Sequence, residues 1–234
     1  MLVVVGSRHD PGACEIVQQW ERWGAALLSC EDLSASGWRY SPSDHAASRA
    51  VVSGQVIPDA AIRGVLVRRP WILQQELTWI AAADREFVAA EMSAFLLAWL
   101  SQLPCPVLNR PRGSSLCGPN WQPQQWAHMA ANVGFPVEPS RWQVQPGARA
   151  KVEETSDRAL QSVEAVVVGD RCLGDVNDDQ AANAKNLAAA AGVALLAVFF
   201  GHANGRSRFV AANAMPDLKD PRVADAVREY LSAN

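Results

Sequence analysis

Lysine is almost missing from this sequence. Of 21 basic residues only Lys151, Lys185 and Lys219 are lysines, the rest being arginines. A GC-rich coding bias is the plain explanation, and it leaves few compact ammonium groups of the kind that bind phosphate. Cysteine is sparse and unpaired. Cys14, Cys30, Cys105, Cys117 and Cys172 are odd in number and never form a CxxC pair. That argues against zinc and a disulfide framework and predicts a reducing, cytoplasmic setting. Long hydrophobic runs are lacking too. The longest, from Leu187 to Phe200, is broken by Gly192 and is rich in alanine, which is no membrane span. The opening Met-Leu-Val-Val-Val-Gly has no basic n-region, so it does not read as a secretion signal. The net charge of -3 and pI of about 5.8 supply no whole-chain attraction for nucleic acid. Neither nucleic acid nor membrane is expected as a partner.

What remains is an ordinary globular composition: 234 residues, 49% apolar and 19% charged, enough for one large domain or two small ones. Leu2-Val3-Val4-Val5 reads as a buried strand ending at Gly6. A helix should start near Pro11 and carry Ile16, Val17, Trp20 and Trp23, followed by a strand at Ala25–Leu28. This order predicts a small parallel α/β layer. The first loop has no GxGxxG, and Arg8, His9 and Asp10 read as loop polars and caps rather than a catalytic set. Residues 34 to 60 look irregular, with a short hairpin near Trp38 and Val56. A further strand spans Ile62 to Val67, and a helix runs from Asp84 through Leu100 with Phe87, Met92, Phe95, Leu96 and Trp99 as its apolar stripe. A short strand and exit turn follow at Pro106 to Pro111.

Later in the chain an apolar strand, Val163 to Val168, runs into Gly169-Asp170-Arg171. The acidic turn Gly174-Asp175-Val176-Asn177-Asp178-Asp179 leads into an alanine-rich helix that Gly192 should end. Asp175, Asp178 and Asp179 read as helix-start carboxylates answering the helix dipole rather than as a metal cluster. The alanines from Ala181 to Ala191 imply close packing on a sheet. Ala194 to Phe200 is a buried strand, and Arg206 to Asp217 is a strand stopping at a small-residue turn. The last helix, about Pro221 to Leu231, should dock through Val223, Ala226, Val227 and Leu231.

Several segments in this order carry a resemblance. They are Arg68-Arg69-Pro70-Trp71 at a strand end, a helix opening Arg85-Glu86-Phe87-Val88, Val107-Leu108-Asn109-Arg110-Pro111, and Gly118-Pro119-Asn120-Trp121-Gln122-Pro123. Gly134-Phe135-Pro136-Val137-Glu138-Pro139 then ends a helix. Together with Val167-Val168-Gly169-Asp170 and Phe209-x-x-x-Asn213-x-x-Pro216, this resembles the peptide-modifying ATP-grasp ligases, the group of graspetide synthetases and ribosomal-protein glutamate ligases. The resemblance covers most of residues 62 to 139 and 163 to 232. It implies an α/β fold: a pre-ATP-grasp domain with a parallel sheet, residues 1–138, a short connection at 139–162, and a reduced ATP-grasp C-terminal half with a largely antiparallel sheet at 163–234.

The resemblance also shows departures. The family's last strand carries Phe-x-Glu-x-Asn-x-x-Pro, whose Glu and Asn hold the magnesium ions on ATP; here the Glu position is Ala211. The family's magnesium-binding Asp aligns with Phe199. The lysine of its Ser-Lys-Pro becomes Gln122, an uncharged and weaker phosphate donor. The long nucleotide-grasping lobe is replaced by the segment around 140–162, which contains Lys151. Magnesium requires oxygen ligands, and neither an alanine methyl nor a phenyl ring supplies one.

Three functional readings follow. The first is a degenerate ATP-grasp-like protein without ligase activity or catalytic residues, needing no cofactor and acting as a binding or accessory protein in peptide modification. Its residual ligand site would comprise Arg68, Arg69, Asn109, Arg110, Asn120, Gln122, Arg206, Arg208 and Asn213. The second is a minimal ATP- and magnesium-dependent carboxylate–amine ligase, completed by another chain, in which those arginines bind anions. The third is a thiol enzyme using Cys117, against which stands the lack of a recognisable histidine motif. Nine tryptophans, six of them between Trp71 and Trp142, allow a Trp-rich core or an interface. The interface reading predicts a homo-oligomer, or a partner protein or peptide.

Overall fold

The computed structural model describes residues 1–42, 44, 47–137, 162–203 and 206–233, with residues 202, 203 and 206 described for their backbone. The expected connection at 139–162, with Lys151 and Trp142, falls almost wholly outside the described residues.

Two four-stranded sheets organise the chain. The first is parallel, built from β1 (Leu2–Val5), β2 (Ala25–Leu28), β5 (Gly64–Val67) and β6 (Val107–Leu108) in the order β2-β1-β5-β6. Its central strands are apolar on both faces because both faces are covered. Val3, Val5, Val65, Val67 and Val107 point towards the short α2 (Cys30–Leu33), α3 (Arg85–Gln102) and the hairpin of β3 (Arg49–Val52) and β4 (Gln55–Pro58). Leu2, Val4, Leu66 and Leu108 point to the other side, onto α1 (Pro11–Gln19) and α6 (Pro221–Ser232).

The second sheet holds β7 (Val163–Val168), β8 (Arg171–Leu173), β9 (Leu195–Ala203) and β10 (Arg206–Asn213), all antiparallel, in the order β10-β9-β7-β8. One face carries Ala165, Val167, Leu196, Val198, Phe200 and Phe209 against α4 (Pro123–Asn132) and α5 (Asp178–Ala191). The opposite face brings Val166, Val168, Leu195 and Ala197 into the same cluster as Leu2, Val4, Leu66 and Leu108. The two sheets therefore share a middle layer, in which α6 touches both β5 and β7.

Local chemistry explains the element limits. Asp10 caps α1 by accepting from Gly12 N at 3.0 Å, with Pro11 at the first helical position. Asn177 and Gln180 form a reciprocal capping box on α5, each bond 2.9 Å, and Gly192 ends that helix with φ 62°. Ala184, Ala188 and Ala191 are buried and let the helix lie close to the sheet. α6 buries Val223, Ala226, Val227 and Leu231, as the sequence pattern requires.

Three expectations are corrected. The hairpin lies at Arg49–Pro58, and Trp38 precedes it, packing edge-on to Phe95 and Trp99 at centroid distances of 5.0 and 5.4 Å. β5 begins at Gly64 because Ile62 N is drawn into a turn with Asp59 O. Phe87 is no part of the buried stripe of α3. It is 68% exposed, whereas the expected Leu96 and Trp99 are buried, together with Ala89 and Leu100. Among the described residues no helix is long and apolar enough to cross a membrane.

Candidate functional site

The residues named from the sequence separate into two groups. Arg69, Asn109 and Arg110 are engaged in holding the chain together. Asn109, 2% exposed, donates from Nδ2 to the carbonyls of Leu195 and Ala214 at 2.8 and 2.9 Å. Its Oδ1 accepts from Ala194 N and Leu195 N at 3.1 and 2.9 Å. One amide thus ties the end of β6 to the start of β9 and to the turn after β10. Arg69, 5% exposed, donates to the carbonyls of Trp71 and Gly6, to Cys30 Sγ, and to Glu76 Oε1 at 2.6 Å. Arg110 binds the carbonyls of Leu100, Ser101, Leu103 and Cys105, satisfying the C-terminal end of α3. Arg68 sits at the end of β5, bonded through Nη1 to the Pro216 carbonyl, with its half-buried guanidinium beside Gly12.

The second group gathers at a groove of about 230 Å³ along the outer edge of β10. Asn120 and Asn213 line it, with Trp121, Trp126, Pro70 and Met215 among the other walls. β10 is an edge strand, so Ala211 to Met215 meet this groove directly. Trp121 and Trp126 stand edge to face at 4.7 Å and form an aromatic wall. Asn213 closes a local turn, its Oδ1 accepting from Met215 N at 2.9 Å. Gln122 precedes α4 and is exposed, its N–H donating to Gln125 Oε1 at 2.8 Å. Arg208 lies on the sheet face that bears Gly201, its Nε 3.4 Å from where a Cβ on that glycine would stand. The side chain of Arg206 lies outside the described residues.

Cys117 lines the groove as a buried thiol 3.7 Å from Ser115 Oγ. Burial pushes its pKa up. A thiol held protonated by burial is a poor nucleophile. Glu76 and the Arg69 guanidinium flank the other notable thiol, Cys30, whose pKa burial raises to about 11.

Phe199 and Ala211, the two positions where the resemblance expects carboxylates, meet face to face. β10 pairs with β9 in a register that shifts between Phe209 and Ala211, leaving Val210 as an extra residue. The extra residue breaks the two-residue alternation, so Ala211 takes the face of Phe199 rather than that of Phe209. Ala211 consequently lies opposite Phe199, on the same face, and Glu164 of β7 lies opposite Phe199 on the other flank. The row across the three strands reads Glu164, Phe199, Ala211. Sequence reading placed the two substitutions separately; it missed that they are direct neighbours and that Glu164 completes the row. Desolvation, with Asp217 as a second negative neighbour, raises the Glu164 pKa. Among the described residues, no group of three or more His, Cys, Asp or Glu is arranged to hold a metal ion.

Neither a scan of protein-family models nor a search of curated proteins finds a match. Solved structures do match along the whole chain. ATP-grasp ligase PsnB, complexed with minimal precursor, Mg and ADP, aligns over 98% of both chains with a TM-score of 0.69 and 17% identity. Macrocyclase MdnC from Microcystis aeruginosa MRC, bound with precursor peptide MdnA, aligns over 100% of both chains at 0.71 and 13% identity. A RimK domain ATP-grasp protein from Sphaerobacter thermophilus DSM 20745 aligns over 98% of both chains at 0.52 and 14% identity. At such identities the likeness is one of fold. The chain has the mixed α/β fold of these ATP-grasp ligases. Phe199 and Ala211, where the resemblance expects magnesium ligands, present a phenyl ring and a methyl, and neither supplies the oxygen that magnesium requires.

Proposed function

We propose that this chain is an ATP-grasp-like protein without ligase activity that binds a peptide as an accessory in peptide modification, and that it does so as a homo-oligomer in the cytoplasm. The observation that carries the reading is the cross-strand pair Phe199–Ala211, which puts hydrocarbon where the resemblance requires two carboxylates. Phosphoryl transfer relies on cations held against the phosphates. With those carboxylates replaced and Gln122 in place of lysine, the parts that would supply such stabilisation are missing from these positions.

The groove favours a peptide over a nucleotide. Its volume of about 230 Å³ is below the roughly 300 Å³ at which sites for drug-sized molecules begin, and suits one or two side chains. Its walls are indoles, prolines and small residues beside an edge strand, the ingredients for holding an extended peptide. PsnB and MdnC are both described with precursor peptides, which supports the same class of ligand here. The residual site on this reading is the groove with Asn120 and Asn213, with Gln122 between the lining residues Trp121 and Pro123. Domain limits at 1–138 and 163–234 complete the proposal.

Calorimetry with Mg-ADP and Mg-ATP tests the first half. No heat of binding is expected at millimolar nucleotide. Metal-dependent binding in the micromolar range would mean that other residues replace Phe199 and Ala211, and the ligase reading would then stand. The second half is tested by probing a peptide array with labelled protein. Binding to a defined set of peptides, lost in Trp121→Ala, is expected.

A further inference from the structure

The groove along β10 is poor in the groups that a partner strand needs. Upstream, the outer edge of β10 is already taken, since Phe209 N donates to Pro136 O at 2.9 Å. Downstream, the Asn213 side chain engages both backbone groups of Met215, accepting from its N–H at 2.9 Å and donating to its carbonyl at 3.1 Å. The open edge is therefore short, from Ala211 to Asn213. Three of the walls, Pro70, Pro119 and Pro123, have no N–H to give. The Pro70 carbonyl already accepts from Leu116 N at 2.9 Å. An added antiparallel strand exchanges backbone bonds at alternate residues, and so short an edge has room for about one such exchange.

What the groove presents instead is aromatic surface and side-chain donors. Trp126 is buried and anchored in the cluster beneath, while Trp121 is half-buried and packs against that cluster. Among the described residues, neither indole N–H of this pair has a hydrogen-bond acceptor. Asn120, exposed at the groove, adds an amide. None of the described residues that line the groove is charged.

These properties complement one kind of backbone. A proline has no N–H to satisfy, and its carbonyl is a pure acceptor. A polyproline II run makes no internal hydrogen bonds and is stiff before it binds, so little entropy is lost on docking. Its carbonyls can accept from indole N–H groups and from Asn120, and its rings can lie on indole faces. A volume of about 230 Å³ suits one or two such rings. The lack of charge in the walls disfavours an acidic or basic side chain at the inserted position, because nothing there would pair with it.

We infer that the groove selects an uncharged, proline-bearing peptide segment in the polyproline II conformation, with a proline ring against Trp121. This ligand class rests on the peptide-binding reading of the groove and narrows it.

Fluorescence polarisation with the full chain and two labelled neutral heptapeptides reads this choice. One is Ala-Pro-Pro-Ala-Pro-Pro-Ala, and the other has threonine for every proline. The proline peptide is expected to bind at least tenfold more tightly than its analogue, and to lose at least tenfold in Trp121→Ala. Because Trp121 packs on a core cluster, Ala211→Trp serves as a second variant. Ala211 is exposed and lines the groove, so the added indole should fill the groove and weaken binding at least tenfold with an unchanged melting temperature. Equal or tighter binding of the threonine peptide, lost in Ala211→Trp, overturns the polyproline class and leaves the peptide reading standing. Proline-peptide binding that neither variant weakens overturns the assignment to this groove. No binding of the proline peptide at millimolar concentration also overturns the inference, and the peptide reading falls with it only if the array yields no binder.

Discussion

At the scale of single residues, the side chains that looked most like ligand groups serve the framework. Asn109 has all its hydrogen-bonding capacity used between β6, β9 and the turn after β10. Asn109→Ala would strand several buried backbone groups and is expected to cost about 3 kcal/mol or more, measured as a drop in the urea midpoint. A cost under about 1 kcal/mol would mean that water replaces the amide. Cys30 offers a pH test. Burial lifts its thiol from the ordinary 9.0 to about 11, outweighing the nearby Arg69 guanidinium. Between those values the folded chain keeps a proton that the unfolded chain has lost. Stability should thus be intact below about 9 and fall as pH rises towards about 11. Cys30→Ala should flatten that slope, with some left over because burial also raises the Cys105 and Cys117 thiols. An unaltered slope would show that Cys30 is not the group responsible.

At the scale of elements, most of the fold was legible in the sequence, for reasons that are local. The cap of α1, the glycine at the end of α5 and the docking face of α6 rest on neighbours within a few residues, where spacing carries the signal; the cap of α5 falls to Asn177 rather than to the carboxylates beside it. What could not be read depends on distant partners. Nothing near Arg69 or Arg110 indicates that carbonyls and a half-buried glutamate take up their donors. The exposure of Phe87 likewise depends on which side of α3 the sheet occupies. The bulge at Val210 cannot be seen without β9 beside it, so Phe199 and Ala211 were found as substitutions but not as a pair. Gly64 is another such case. A Cβ there would lie 2.4 Å from the Leu231 carbonyl oxygen, so α6 rests directly on the backbone of β5. Gly64→Ala should destabilise by about 1–3 kcal/mol through overpacking, read by thermal melting. A neutral result would mean that α6 can slide.

At the scale of the whole molecule, the two sheets share one cluster, in which Leu2, Val4 and Leu66 touch the same layer as Val166, Leu195 and Val227. Neither half can bury its inner face alone. Calorimetry should accordingly show one cooperative transition, with calorimetric and van't Hoff enthalpies in agreement. Two separable transitions would mean that the middle layer contributes little to either half.

The contact of α6 with Gly64 also bears on how the chain is made. β5 leaves the ribosome long before the helix that covers it, and at ordinary elongation rates the wait is on the order of ten seconds. For that time the face of β5 lacks the cover that α6 gives it, with α1 alone beside it, and a nascent chain is open to capture by chaperones that recognise bare aliphatic strands.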